Sequence, residues 1–248
     1  MKLGTVLIIS ALAAAFLGCG KRDHKHFVIM PDISGSIDRQ SLEQAFKAID
    51  ELTSHLDRGD ILTIIPIRGE ADAEAPGQIM RFEVPVNRQA YDLGRRQFEA
   101  RLRIGLENLQ RSALRYPGLQ TDIFGTISLA QQEIQLDHNS TKDILVILSD
   151  FVEEDDDINF NSDQRLTNPN KAKAFATEAA ARKSNTDLRG TSVCLGLLRS
   201  REYTNLNPSR REAVRVFWTS YFDLLHSRAI FSADGPGLLT RLQNIVEQ

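Results

Sequence analysis

Three short stretches of the chain carry oxygen donors at spacings suited to holding a hard cation. The first is Asp32-Ile33-Ser34-Gly35-Ser36, in which alternate residues offer a carboxylate and two hydroxyls and Gly35 eases the turn. The second is Thr121-Asp122 and the third Ser149-Asp150. Divalent ions such as Mg²⁺ take carboxylate and hydroxyl oxygens and commonly keep several positions for water. D-x-S-x-S alone is a weak signal, because it arises often by chance. Its weight depends on whether the fold brings the three stretches together.

The elements around them suggest that it does. Phe27-Val28-Ile29-Met30 is an apolar run stopped by Pro31, and it reads as a buried strand that ends at Asp32. Asp143 to Leu148 (DILVIL) is the strongest strand signal and runs directly into Ser149-Asp150. Thr121-Asp122 opens a helix predicted over Ile123 to Leu136. Further helices are expected over Ser41 to Leu56, Tyr91 to Leu114, Lys171 to Lys183, Ser209 to His226 and Leu238 to Val246. Further strands are expected over Ile61 to Ile67, Thr191 to Leu198 and Ala229 to Phe231. Ile79 to Val86 alternates Ile79, Arg81 and Glu83 against Met80, Phe82 and Val84, the pattern of an edge strand with one wet face. The order β-α-β-β-α-α-β-α-β-α-β-α implies an α/β fold, doubly wound, with a mostly parallel central sheet, helices on both faces and one antiparallel edge strand. In such sheets ligands gather at the carboxyl ends of strands, near the topological switch point.

With three motifs in this order, the chain resembles a von Willebrand factor type A domain from about Phe27 to the C-terminus. The resemblance implies a metal-ion-dependent adhesion site whose ligands are Asp32, Ser34, Ser36, Thr121 and Asp150. It also implies a divalent cation, Mg²⁺ first with Mn²⁺ or Ca²⁺ suited to the same donors, and an open coordination position for a ligand carboxylate. With Asp32 and Asp150 as the only matched carboxylates, the ion is expected to retain positive character and to attract a protein or acidic ligand. The third motif departs from the family's T-D-G: here it is Ser149-Asp150-Phe151, and the missing glycine is expected to make that loop bulkier.

Two neighbouring features read as structural. The acidic run Glu153 to Asp157 fails the EF-hand pattern, with Phe160 where glycine belongs and Leu166 where the bidentate Glu belongs, so a solvated loop is expected. In the helix from Ser209, Val214, Phe217, Tyr221 and Leu224 or Leu225 recur at core spacing, leaving Arg210, Arg211 and Arg215 for a solvent face.

The N-terminus has a different character. Lys2 precedes an uncharged run from Leu3 to Leu17, about fifteen residues against the roughly twenty of a bilayer span. It ends in Phe16-Leu17-Gly18-Cys19, which resembles the lipobox of bacterial lipoproteins, with Phe16 where an aliphatic residue is usual. The resemblance implies a signal peptide over 1–18, lipid on Cys19, a polar tether through residue 26 and a domain over 27–248. Cleavage near Ala13 and Ala15, or an uncleaved anchor, are the alternatives, and all three export the domain. A cell-envelope location follows, with Gly20 after the cysteine leaning towards the outer membrane. His24 and His26 belong to the expected tether.

Composition agrees with an exported globular domain. Hydrophobic residues make up 42% and charged residues 25%, enough for one core. A formal charge of -3 gives no basic face for nucleic acid, and loss of Lys2 with the leader makes it -4. Cys194, left alone if Cys19 carries lipid, lies in an apolar run and reads as a small core residue. A metal-assisted hydrolase would need a placed base or cationic clamp, and none is evident near the motifs; His55, His138 and His226 lie elsewhere. The expectation is therefore a binding module and not an enzyme, with a metal-stiffened scaffold as the other alternative.

Overall fold

The computed structural model describes residues 24–69, 78–87, 91–118, 120–137, 140–154, 158–182, 186–235, 237–239 and 242. The leader, Cys19, most of the acidic loop from Gly69 to Gly77, and residues 155–157 of the acidic run lie outside them. Among the described residues no helix is long and apolar enough to cross a membrane.

Six strands form one sheet: β1 (Lys25–Pro31), β2 (Ile61–Ile64), β3 (Met80–Glu83), β4 (Lys142–Ser149), β5 (Thr191–Leu197) and β6 (Ala229–Ser232). Their order is β3-β2-β1-β4-β5-β6. All neighbours run parallel except β3, which pairs antiparallel with β2 at the edge, as its one-sided alternation suggests. The helices are α1 (Arg39–Thr53), α2 (Tyr91–Arg115), α3 (Ile123–Leu136), α4 (Pro169–Arg182), α5 (Arg201–Asn205) and α6 (Pro208–Leu224).

Because successive strand residues face opposite ways, the continuous apolar runs of β1, β4 and β5 feed two cores. Phe27, Ile29, Ile144, Val146, Leu148 and Cys194 pack with α1 and α2 on one side. Val28, Met30, Leu145, Ile147, Val193 and Leu195 pack with α3, α4 and α6 on the other. Cys194 is buried, and burial pushes its thiol up to about 11, as a small core residue requires. Leu238, Leu239 and Leu242 of the expected closing helix are buried on the α1 side, while much of the rest of that segment lies outside the described residues.

Three local differences have physical causes. β1 begins at Lys25, so Lys25 and His26 are strand and not tether. His26 is fully buried, with its Nε2 bonded to Thr63 Oγ1 of β2 at 2.8 Å. On α6 the buried residue is Leu225, with Leu224 exposed, and Trp218 joins Phe217, Tyr221 and Phe222 in the core. Arg210 and Arg211 are not a free solvent face: Arg210 donates to Phe160 O and Asp163 O, and Arg211 to Leu206 O. These bonds tie the loop after β4, and the turn before α6, to α6. The short helix α5 has no counterpart in the sequence pattern, being a five-residue turn capped by Ser200.

Candidate functional site

The chain reverses its direction of winding between β1 and β4, and this is the switch point where ligand sites of such sheets form. β1 and β4 pair up to Pro31 and Leu148, and Asp32 N then donates to Leu148 O at 2.8 Å. Asp32 and Ser149-Asp150 therefore emerge side by side, a consequence of register alone.

A chain of hydrogen bonds links them. Ser149 Oγ donates to Asp32 Oδ2 at 2.6 Å, and Ser34 N donates to Asp32 Oδ1 at 2.9 Å. Ser34 Oγ and Ser36 Oγ lie 2.9 Å apart, and Ser36 Oγ donates to Asp150 Oδ2 at 3.2 Å. Val152 N closes the far side on Asp150 Oδ1 at 2.9 Å. Asp32 and Asp150 are completely inaccessible to solvent, Ser34 is buried and Ser36 half-buried.

Thr121 sits in the adjoining loop, also buried. The loop is held against the first motif by Gly35 N, which donates to Gly118 O at 2.9 Å. It is held against the β4 loop by paired bonds, Thr121 N to Glu154 O at 3.0 Å and Glu154 N to Thr121 O at 3.1 Å. Among the described residues no hydrogen bond joins the Thr121 hydroxyl to the Asp-Ser chain. Asp122, next to it, is the N-cap of α3 and accepts from Gly125 N at 2.7 Å.

Electrostatics at the site are unfavourable to two bare carboxylates. Burial pushes the Asp32 carboxyl up, against the pull of the Ser149 and Ser34 hydroxyls. Burial, and then the charge of Asp32, push Asp150 up to about 7, against hydrogen bonds from the Ser200 hydroxyl and Val152 N. Glu202, in the first turn of α5, adds a third negative charge felt by both aspartates. The negative charge is thus wider than the two motif carboxylates.

Two expectations are corrected. Glu153 does not belong to a solvated loop: it is fully buried, and both its carboxylate oxygens face Ile123 N at the start of α3, at 3.3 and 3.1 Å. Phe151 does not crowd the site. It adopts φ 62°, the left-handed conformation glycine usually supplies, and its ring packs inward against Phe231 and Trp218. Trp218 Nε1 donates to Phe151 O at 2.9 Å and pins that turn.

Ser200, Glu153 and Glu202 are residues about the candidate site that the motifs did not include, and Ser149, named there only beside Asp150, is the donor to Asp32. Ser149 and Ser200 follow from the strand-end rule that found Asp150, since Ser200 lies three residues beyond the end of β5. Nothing local marks Glu153 or Glu202.

Among the described residues no group of three or more His, Cys, Asp or Glu side chains is arranged to hold a metal ion. The candidate donors that the sequence names are two carboxylates, Asp32 and Asp150, and the hydroxyls of Ser34, Ser36 and Thr121, so they do not form such a group.

No protein-family model and no curated protein matches the chain. Among solved structures it is similar to a von Willebrand factor type A protein from Catenulispora acidiphila, with a TM-score of 0.51 and 14% identity, over 90% of this chain and 42% of that one. It is also similar to the human COPII-coat protein Sec24c, with a TM-score of 0.50 and 11% identity, over 91% of this chain and 32% of that one. The chain spans less than half the length of either. At these identities the likeness is one of fold: the chain has the α/β fold of a von Willebrand factor type A domain.

Proposed function

We propose that the protein is a lipid-anchored, extracytoplasmic binding module that holds a divalent cation between its first and fourth strands and uses it to capture a protein or acidic ligand. The observation that carries this is the pairing of Asp32 and Asp150, both fully buried and repelling one another at the switch point. A buried like-charge pair is costly unless it shares a proton or binds a cation. The donor set fits a hard ion: carboxylates and hydroxyls suit Mg²⁺ best, with Mn²⁺ and Ca²⁺ accepted by the same chemistry. Asp32, Ser34, Ser36, Thr121 and Asp150 would hold it, and when bound it would offer an open position to a ligand carboxylate.

The partners of Asp32 and Asp150 are hydroxyls and backbone amides, groups that orient a carboxylate and do not accept a proton from substrate. That favours binding over hydrolysis. The resemblance of Phe16 to Cys19 to a lipobox supports a cell-envelope location, with the membrane contacted through lipid on Cys19 and the outer membrane favoured by Gly20.

The test is calorimetric titration of Mg²⁺ and Mn²⁺ into the full chain beside the Asp32→Ala, Asp150→Ala double variant. Saturable one-site binding, lost in a variant that still folds, supports the metal module. A folded wild type that takes up neither ion argues for a scaffold without metal.

A further inference from the structure

We infer that Glu153 is a positioning residue of the cation site, acting through Thr121; this rests on the metal reading above. The four donors Asp32, Ser34, Ser36 and Asp150 are fixed directly to one another by hydrogen bonds. Thr121 is not, so its backbone must set its place. Besides the bond from Gly35 N to Gly118 O, two attachments to the Asp150 loop do so. One is the reciprocal pair of bonds with Glu154. The other is the Glu153 carboxylate, which reaches across 30 residues of sequence to accept from Ile123 N, two residues after Thr121. Glu153 itself lies three residues after Asp150, so its side chain fastens the loop that carries Thr121 to the loop that carries Asp150.

The chemistry of the contact explains why an acid stands there. Ile123 N is the first amide of α3, one of the donors a helix leaves unpaired, and it lies at the positive end of the helix dipole. A buried carboxylate at that point bonds the donor and is itself stabilised by the dipole. The Asp122 side chain caps a different amide, Gly125 N, so the two acids divide the helix start between them. Loss of Glu153 leaves Ile123 N without this acceptor and frees the Thr121 turn to shift relative to Asp150.

Residues that orient metal ligands without touching the metal commonly set affinity by about 10–100-fold. The experiment is a double-mutant cycle on the full chain, with Mg²⁺ alone as the probe and calorimetric affinity as the readout. Glu153→Ala is expected to weaken binding about tenfold in the wild-type background and less than about twofold in a Thr121→Ala background. Glu153→Gln, which keeps an oxygen for Ile123 N, is expected to recover most of the loss; should the alanine variant not fold, Glu153→Met, which keeps the length of the side chain without an acceptor, carries the cycle in its place. An equal loss in both backgrounds, or no loss in either where wild type binds, overturns the inference and leaves the metal reading standing. A folded wild type that binds no Mg²⁺ overturns both.

Discussion

Ser149 Oγ donates to Asp32 Oδ2 at 2.6 Å across the seam between β4 and β1, and the same oxygen accepts from Phe151 N at 2.9 Å. One hydroxyl thus serves a buried carboxylate from the first strand and a buried amide of the fourth-strand loop. Its removal leaves the Phe151 amide without this acceptor and Asp32 Oδ2 without this donor, the other oxygen of Asp32 keeping its bond from Ser34 N. Ser149→Ala is expected to destabilise the fold by about 1–3 kcal/mol, read as a lower urea midpoint at unchanged slope. Ser149→Thr, which keeps the hydroxyl, should lie much closer to wild type. An unshifted midpoint for the alanine variant would show that the bond contributes nothing net.

Phe151 holds a conformation that an L-residue adopts at a cost of about 1–2 kcal/mol, and the packing of its ring against Phe231 and Trp218 offsets that cost. Phe151→Ala loses the ring and keeps the backbone strain, so a loss of about 3–5 kcal/mol is expected. Phe151→Gly loses the ring and relieves the strain. It should be no worse than alanine, although glycine usually costs about 0.5–1 kcal/mol more in unfolded-chain entropy. Thermal and urea unfolding of the two variants decides it: glycine clearly below alanine would mean that the left-handed turn is not a source of strain.

The strands were legible because a parallel sheet covered on both faces needs nearly unbroken apolar runs, and FVIM, DILVIL and TSVCLGLL are such runs. Once those strands are placed, the meeting of Asp32 with Asp150 follows from register, and the strand-end rule locates the site. What stayed hidden depends on partners far away in sequence. Glu153 looks like the first residue of a solvated acidic run, whereas its carboxylate is buried against the amide of Ile123, 30 residues upstream. Phe151 at a glycine-like φ is explained by aromatic rings 67 and 80 residues downstream, at Trp218 and Phe231. His26 reads as part of a polar tether because Lys21, Arg22, Asp23 and Lys25 precede it in sequence, whereas in space Thr63, Asp137 and Asp143 surround it.

His26 carries a pH prediction of its own. Burial, and then the Arg81 charge, hold its imidazole down at about 4, against the opposing pull of Asp137. Its ring faces Thr63 of β2, Asp137 after α3, Asp143 of β4 and Arg81 of β3. In the unfolded chain it titrates near 6.5. The unfolded state therefore takes up the proton first, and the contribution of His26 is complete above about pH 6.5 and lost as pH falls towards 4. The loss amounts to at most about 3 kcal/mol. Folding free energies of wild type and His26→Asn between pH 7 and 4 should diverge at neutral pH and converge in acid. Parallel profiles would show that the imidazole titrates alike in the folded and unfolded protein, so that burial does not hold it down.

Asp150 titrates in the opposite sense. Its folded value, about 7, lies above the ordinary 3.8, so the folded protein holds a proton that the unfolded chain has released. The stabilisation from that proton is complete below about pH 3.8 and is lost as pH rises towards 7, where the two aspartates are left charged and buried together. In a chelator, Asp150→Asn should remove this term, gaining stability over wild type at pH 8 and losing that advantage by pH 5. Added Mg²⁺ should act in the reverse direction, raising the melting temperature of wild type at pH 8, having much less effect at pH 5 and none on Asp150→Asn. Differential scanning fluorimetry at both pH values, with chelator and with Mg²⁺, separates the cases. A melting temperature of wild type that ignores Mg²⁺ at pH 8 would mean that the charge of the aspartate pair is relieved by something other than a cation.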